Sequence, residues 1–146
     1  MDNKQGRQIA GLINARNRLA RQYDAEGILE AADRYLFELS DTGDVIGCVE
    51  VKRVQWYQFE IDHLSVVKEV EGKGVAWTLF KRAEERALNG RGRILQCTIR
   101  EGNTGSECLF QRNGFHKATT FYYSDTGNNV GVWQKAISHA PPKQED

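Results

Sequence analysis

The 146-residue sequence is poor in proline: its two prolines are Pro141 and Pro142, so no fixed φ or missing N–H interrupts the chain before them. The segment from Pro141 to Asp146 has no apolar periodicity and is expected to be a disordered tail. Cysteine is also scarce. Cys48, Cys97 and Cys108 form no CxxC pair, and their odd count leaves at least one thiol outside any intramolecular bridge, which fits a reducing compartment. All three read as core residues, and their spacing to Asp62 and His63 matches no metal-ligand pattern, so no metal is expected. No apolar run approaches the roughly 18 residues of a membrane span, and the polar start Met1-Asp-Asn-Lys-Gln-Gly-Arg leads to the expectation of no signal peptide. The expectation is a cytoplasmic protein with no membrane partner. Net charge is absent too: 20 basic and 20 acidic side chains cancel, which excludes a strong non-specific field toward nucleic acid or anionic lipid.

What remains is ordinary globular material, 40% hydrophobic, 10% aromatic and 27% charged, in one domain's worth of chain. With no internal repeat or linker, residues 1–140 read as a single domain. Ile9, Leu12, Ile13 and Leu19 predict an amphipathic helix over 7–22, with Arg16, Arg18 and Arg21 on its solvated face. Two strands over 34–40 and 45–51 flank Asp41-Thr-Gly-Asp44 as a hairpin. A third strand follows over 56–67. Its alternation puts Glu60, Asp62, Leu64 and Val66 on one face and His63 on the other. Ala76, Leu79, Phe80, Ala83 and Ala87 mark a second helix, 93–100 a strand, 104–113 a short helix, and 115–124 with 130–137 a final hairpin. This order predicts an α/β (α+β) fold, a mixed sheet flanked by helices.

The loop Glu71-Gly-Lys-Gly-Val-Ala76 lies between the third strand and the second helix. There, backbone N–H groups and the positive end of a helix dipole can hold a phosphate, and glycine lets the backbone approach it. It is not a Walker A loop, since Gly74 is followed by Val75. It is not a dinucleotide fingerprint either, since Trp77 stands where a third glycine belongs. A tight strand-to-helix turn with no ligand would need the same glycines.

Three pieces occur in order: Ile61-Asp-His-Leu-Ser-Val66, Glu71-Gly-Lys-Gly-Val-Ala76, and Asn103-x-x-Ser106-x-x-Leu109-Phe110-x-x-x-Gly114-Phe115. In this arrangement the chain, from about Val45 to Ile137, resembles the GNAT superfamily of acetyl-CoA-dependent N-acyltransferases. The resemblance implies a mixed sheet splayed between its two central strands, with acyl-CoA entering the gap. It implies that Glu71, Gly72, Lys73, Gly74, Val75 and Ala76 form the pyrophosphate loop, that the backbone of Leu64 and Val66 holds the pantetheine arm and polarises the thioester carbonyl, and that Asn103, Ser106 and Phe110 lie along CoA. Two residues depart from the family pattern. Glu71 replaces an Arg or Gln, its charge free or neutralised by Lys68 or Lys73, and Phe110 replaces a tyrosine that protonates the leaving thiolate. Tyr122 and Tyr123 are candidate substitutes for that acid. Direct transfer to an amine needs a base but no covalent intermediate. Glu60 is the first candidate, Asp62 the second, and His63 reads as structural.

The reading is therefore acyl transfer from acetyl-CoA to an amine acceptor whose class the sequence leaves open. Two alternatives stand beside it: a non-catalytic acyl-CoA-binding module with the same fold, and a transferase acting on a nucleic-acid amine. The arginines of the first helix suggest the latter, and the zero net charge weakens it. Oligomeric state is left open, a homodimer included.

Overall fold

A computed structural model describes residues 1–17, 19 and 21–138. Arg18, the last residues of the expected domain at 139 and 140, and the expected tail 141–146 lie outside the described residues. The elements run α1 (Asn3–Arg16), α2 (Ala25–Glu30), β1 (Tyr35–Leu39), β2 (Val45–Gln55), β3 (Gln58–Val66), α3 (Val75–Asn89), β4 (Ile94–Arg100), α4 (Thr104–Arg112), β5 (His116–Tyr123) and β6 (Asn128–Ala136). Among the described residues, no helix is long and apolar enough to cross a membrane.

The six strands form one mixed sheet in the order β1-β2-β3-β4-β6-β5. Every pair is antiparallel except β3 and β4, and their parallel ladder is short: Gln58 with Ile94, Phe59 with Leu95, Glu60 with Gln96. Beyond Glu60 the two strands share no register, so the sheet parts down its middle. Helices cover both faces. Leu79, Phe80, Ala83 and Ala87 of α3 are buried against Val49, Val51, Phe59, Ile61, Leu95 and Cys97. Ile9, Leu12 and Ile13 of α1 pack with Ile28, Tyr35, Val45 and Cys48 on the other face.

Two local features differ from the sequence expectation, and both shape the site. Helix α1 begins earlier than 7 and stops at Arg16. Asp2 caps its start in a box with Gln5. At its end Asn17 turns extended and folds its amide back onto the Ile13 carbonyl at 2.8 Å, while the same amide reaches Ser65 Oγ at 2.9 Å. The second feature is in β3. His63 has φ 55, in the left-handed region, and the β2–β3 pairing slips there between Cys48 with Ser65 and Glu50 with Asp62. One extra residue reverses the alternation beyond it. Glu60 and Asp62 share a face as expected, but Leu64 does not join them. It packs in the α3 core, and Val66 pairs Gly47, whose missing Cβ would meet Val75 and Leu79 of α3. His63 is likewise corrected: its ring bonds Tyr23 on the α1 side, the side of Glu60 and Asp62.

Candidate active site

The parting of β3 from β4 opens a cleft of about 1160 Å3. Asp62 to Val66 line one wall, Thr98 to Arg100 the other, the loop after β3 closes one end, and the start of α4 the far side. The loop is built from a single 3-10 turn, Lys68–Val70, followed by Gly72 at φ 79 and Gly74 at φ 86, the N-cap of α3. An added Cβ at Gly72 or Gly74 would meet nothing within 4 Å, so packing does not require glycine there. The left-handed backbone does, and the open space in front of it admits a ligand. Among the described residues, the N–H groups of Gly72, Gly74, Val75 and Ala76 have no acceptor. Together these four donors, at and just before the helix N-terminus, form a cradle that can hold an anion.

Glu71 stands at the edge of that cradle, and its carboxylate is ion-paired with the Arg16 guanidinium. The neutralising partner is thus on α1, in place of Lys68 or Lys73. Arg16 is exposed, as expected for the solvated face of α1, and from the last turn of that helix it also lines the cleft. Arg21 is exposed and borders a smaller cavity of about 340 Å3 beside Tyr23, Arg34, Glu50 and Lys52. Lys73 lies outside the cleft lining.

Opposite the loop, Asn103 caps α4 by accepting from the Ser106 N–H at 3.3 Å, and both residues line the cleft. Phe110 is buried, edge-on to Phe80 and Phe115 with centroids 5.0 Å away in each case, so its ring serves the core and does not reach the cleft wall. Tyr122 and Tyr123 are exposed on β5 and also stand apart from the lining. Cys48 and Cys97 are buried as expected. Cys108 is exposed on α4, a correction that follows from the helix turning it away from Phe110, the buried residue of that helix.

The root of the cleft carries the titratable groups. Asp62 lines it and is held by Lys52 at 3.2 Å. Glu60 lies one step deeper on the same face, behind the cleft lining and opposite Lys52 in the ladder. Burial first, then the neighbouring Asp62 charge, raise the Glu60 carboxyl above the ordinary glutamate value, against the pull of Lys52. His63 lines the cleft and its Nε2 stands 2.8 Å from the Tyr23 hydroxyl. Burial lowers its imidazole below the ordinary value, opposed by Asp62 and Glu50, and holds it neutral at pH 7. Buried Glu50 is paired with Arg34 at 3.2 Å. With that pair cancelled, Lys52 faces two carboxylates, and this side of the sheet keeps a negative excess. Among the described residues, no group of three or more His, Cys, Asp or Glu side chains is placed to hold a metal ion.

The Arg16–Glu71 pair spans 55 residues, and the Tyr23–His63 bond 40. No local pattern in the sequence signals either contact. The glycine loop, in contrast, is where its spacing put it.

The model of the acetyltransferase (GNAT) family matches residues 8–115. A comparison with curated proteins finds no match. Solved structures similar to this chain include Ard1 from Thermoplasma volcanium, with a TM-score of 0.80 and 15% identity over 95% of each chain. Another is yncA from Salmonella typhimurium, a putative acetyltransferase with its cofactor acetyl-CoA, at TM-score 0.79 and 18% identity over 99% of this chain and 96% of that one. A third is a ribosomal-protein-alanine N-acetyltransferase from Brucella melitensis, at 0.77 and 20% over 93% and 96%. At these identities the structures establish the fold, and the family match spans well over half of the sequence. The chain belongs to the acetyltransferase (GNAT) family.

Proposed function

We propose that the cleft binds acetyl-CoA and that the chain passes its acetyl group directly to an amine. One observation supports this most: the sheet opens between β3 and β4 into a cavity with an anion cradle at one end and Asp62, backed by Glu60, at the other. The cradle of Gly72, Gly74, Val75 and Ala76 N–H groups suits the pyrophosphate. Beyond Glu60 the edge of β3 that faces β4 has no ladder partner, so backbone between Ile61 and Val66 can pair with the pantetheine arm, and an N–H near Leu64 can polarise the thioester carbonyl. Asn103 and Ser106 border the same channel.

The acceptor approaches from the α1 side, where Glu60 and Asp62 together outweigh Lys52 and attract an ammonium. Its proton passes to the Glu60–Asp62 pair. Two neighbouring carboxylates share a proton more readily than either alone, and the raised Glu60 carboxyl is a stronger base than an ordinary glutamate. Asp62 stands at the cleft wall and links Glu60 to the acceptor directly or through water. The amine lone pair attacks the thioester carbon, the C–S bond breaks as the amide bond forms, and the surplus proton left on nitrogen passes to the departing thiolate through water. Phe110 has no proton to give, but a thiol pKa near ~8.5 makes the thiolate a tolerable leaving group.

The test is release of free thiol from acetyl-CoA in the presence of a panel of amines: aliphatic amines, amino acids, peptides with free N-termini and aminated nucleic acid. Amine-dependent release supports the proposal and names the acceptor class. Tight acetyl-CoA binding with no release for any amine would favour a binding module, and no binding would overturn the proposal.

A further inference from the structure

The phosphate cradle consists of neutral amides, and the loop's own side chain at its edge is an anion. A pyrophosphate carries two negative charges and needs a cation within reach. The side chain placed to supply it is on another element. Arg16, in the last turn of α1, lines the cleft and is held against the first residue of the loop by Glu71. Resting on the acetyl-CoA reading above, we infer that Arg16 is the cation that grips the donor's pyrophosphate, and that Glu71 is its positioning residue.

Three features carry this. The pair is solvent-facing, with side chains 38% and 49% exposed, so as a stabilising contact it is worth only about 0–1 kcal/mol. Its placement across the mouth of the cleft is therefore better explained by the cleft than by the fold. A guanidinium presents five donors, and the contact with Glu71 uses Nη2 alone, which leaves the rest of the fork for phosphate oxygens. Finally, the device that ends α1 at Arg16 is specific: Asn17 is tied to both the Ile13 carbonyl and Ser65 of β3, which fixes the last turn of the helix against the cleft wall. Arg100 and Arg112 also line the cleft, but from β4 and α4 on its other side.

An alternative role for Arg16 is to neutralise Glu71 and nothing more. A cycle of variants separates the two. Arg16→Ala should weaken acetyl-CoA binding in calorimetry by about tenfold or more, the loss expected for a charge-assisted contact. If Arg16 touches phosphate, R16A/E71A stays about tenfold weaker than the parent. If it only masks Glu71, removing both charges restores parental affinity and the inference falls. The exchange R16E/E71R, which keeps a cation at the mouth, should bind within about threefold of the parent, whereas R16E alone should bind far more weakly than R16A. Acetyl-pantetheine, which has no pyrophosphate, should bind all of these variants equally, and a loss there would overturn the assignment to phosphate. Thermal melts of R16A should match the parent, since the pair is exposed. Failure of the parent itself to bind acetyl-CoA would instead overturn the donor reading on which the inference rests.

Discussion

Substituting Gly74 by aspartate separates the loop's structural role from its binding role. Gly74 has φ 86 and open space in front of it, so the new side chain meets no clash. Its cost is the left-handed backbone, about 1 kcal/mol for a residue that tolerates that region better than most. A carboxylate at the N-terminus of α3 returns roughly 0.3–1 kcal/mol through the helix dipole. The melting temperature should therefore move by less than about 5 °C. Binding should not survive so well. A carboxylate ~5 Å from a phosphate charge, at an effective dielectric of about 40, is repelled by roughly 1.7 kcal/mol. For the two charges of a pyrophosphate this comes to about 3 kcal/mol, or more than a hundredfold in affinity. The same carboxylate also takes the free N–H groups that the ligand would use. Calorimetric titration with acetyl-CoA, beside a thermal melt, reads both quantities. Gly74→Ala, which carries the backbone cost without the charge, should lose less than about tenfold. If Gly74→Asp binds acetyl-CoA as tightly as the parent, the loop is a turn and nothing more.

Glu60→Gln should slow acetyl transfer by about 10²-fold at unchanged donor affinity, with Asp62→Asn less severe, as read by thiol release. The same variant should melt higher than the parent, and increasingly so as pH rises: the raised Glu60 carboxyl stabilises the fold while protonated and loses that contribution as it ionises, a loss the neutral glutamine avoids. His63 has the opposite sign. Its lowered imidazole means the unfolded chain binds the proton more readily, so stability is full above about pH 6.5 and falls as pH drops below it. His63→Gln should flatten that acid limb in denaturant titrations at a series of pH values. Alkylation of the native protein should label Cys108 alone. Cys48, pushed up to about 12 by burial, and Cys97, raised by the same cause, should react only after unfolding.

Most of the fold was legible because its elements carry their own periodicity. The apolar stripe of α3, the alternation of β4 and the Asp41-Thr-Gly-Asp44 turn between β1 and β2 are local patterns, and apart from α1, expected over 7–22 and found at Asn3–Arg16, the element boundaries agree to within a few residues. Short α2 was not legible: six residues capped by Asp24 carry too little repeat to stand out from a loop. The errors that matter for the site are single-residue events. An extra residue at His63 leaves alternation intact on each side but moves Leu64 and Val66 to the α3 face, and no residue type there announces a bulge. Leu19 extends the apolar pattern of α1 past the point where Asn17 ends it, because periodicity marks a buried face and not hydrogen bonding. The glycine loop was legible for a different reason: its chemistry and its spacing coincide. The charge balance around it was not, since a helix 55 residues earlier supplies Arg16.

The central claim is that the gap between β3 and β4 is the acyl-donor site, and amide shift mapping by NMR during titration with acetyl-CoA tests it most directly. The largest saturable shifts should fall on Gly72, Gly74, Val75 and Ala76, on Leu64 to Val66, and on Asn103 and Ser106, with β1 nearly silent. Saturable binding whose shifts cluster elsewhere, or no shifts at all in the presence of acetyl-CoA, would contradict it.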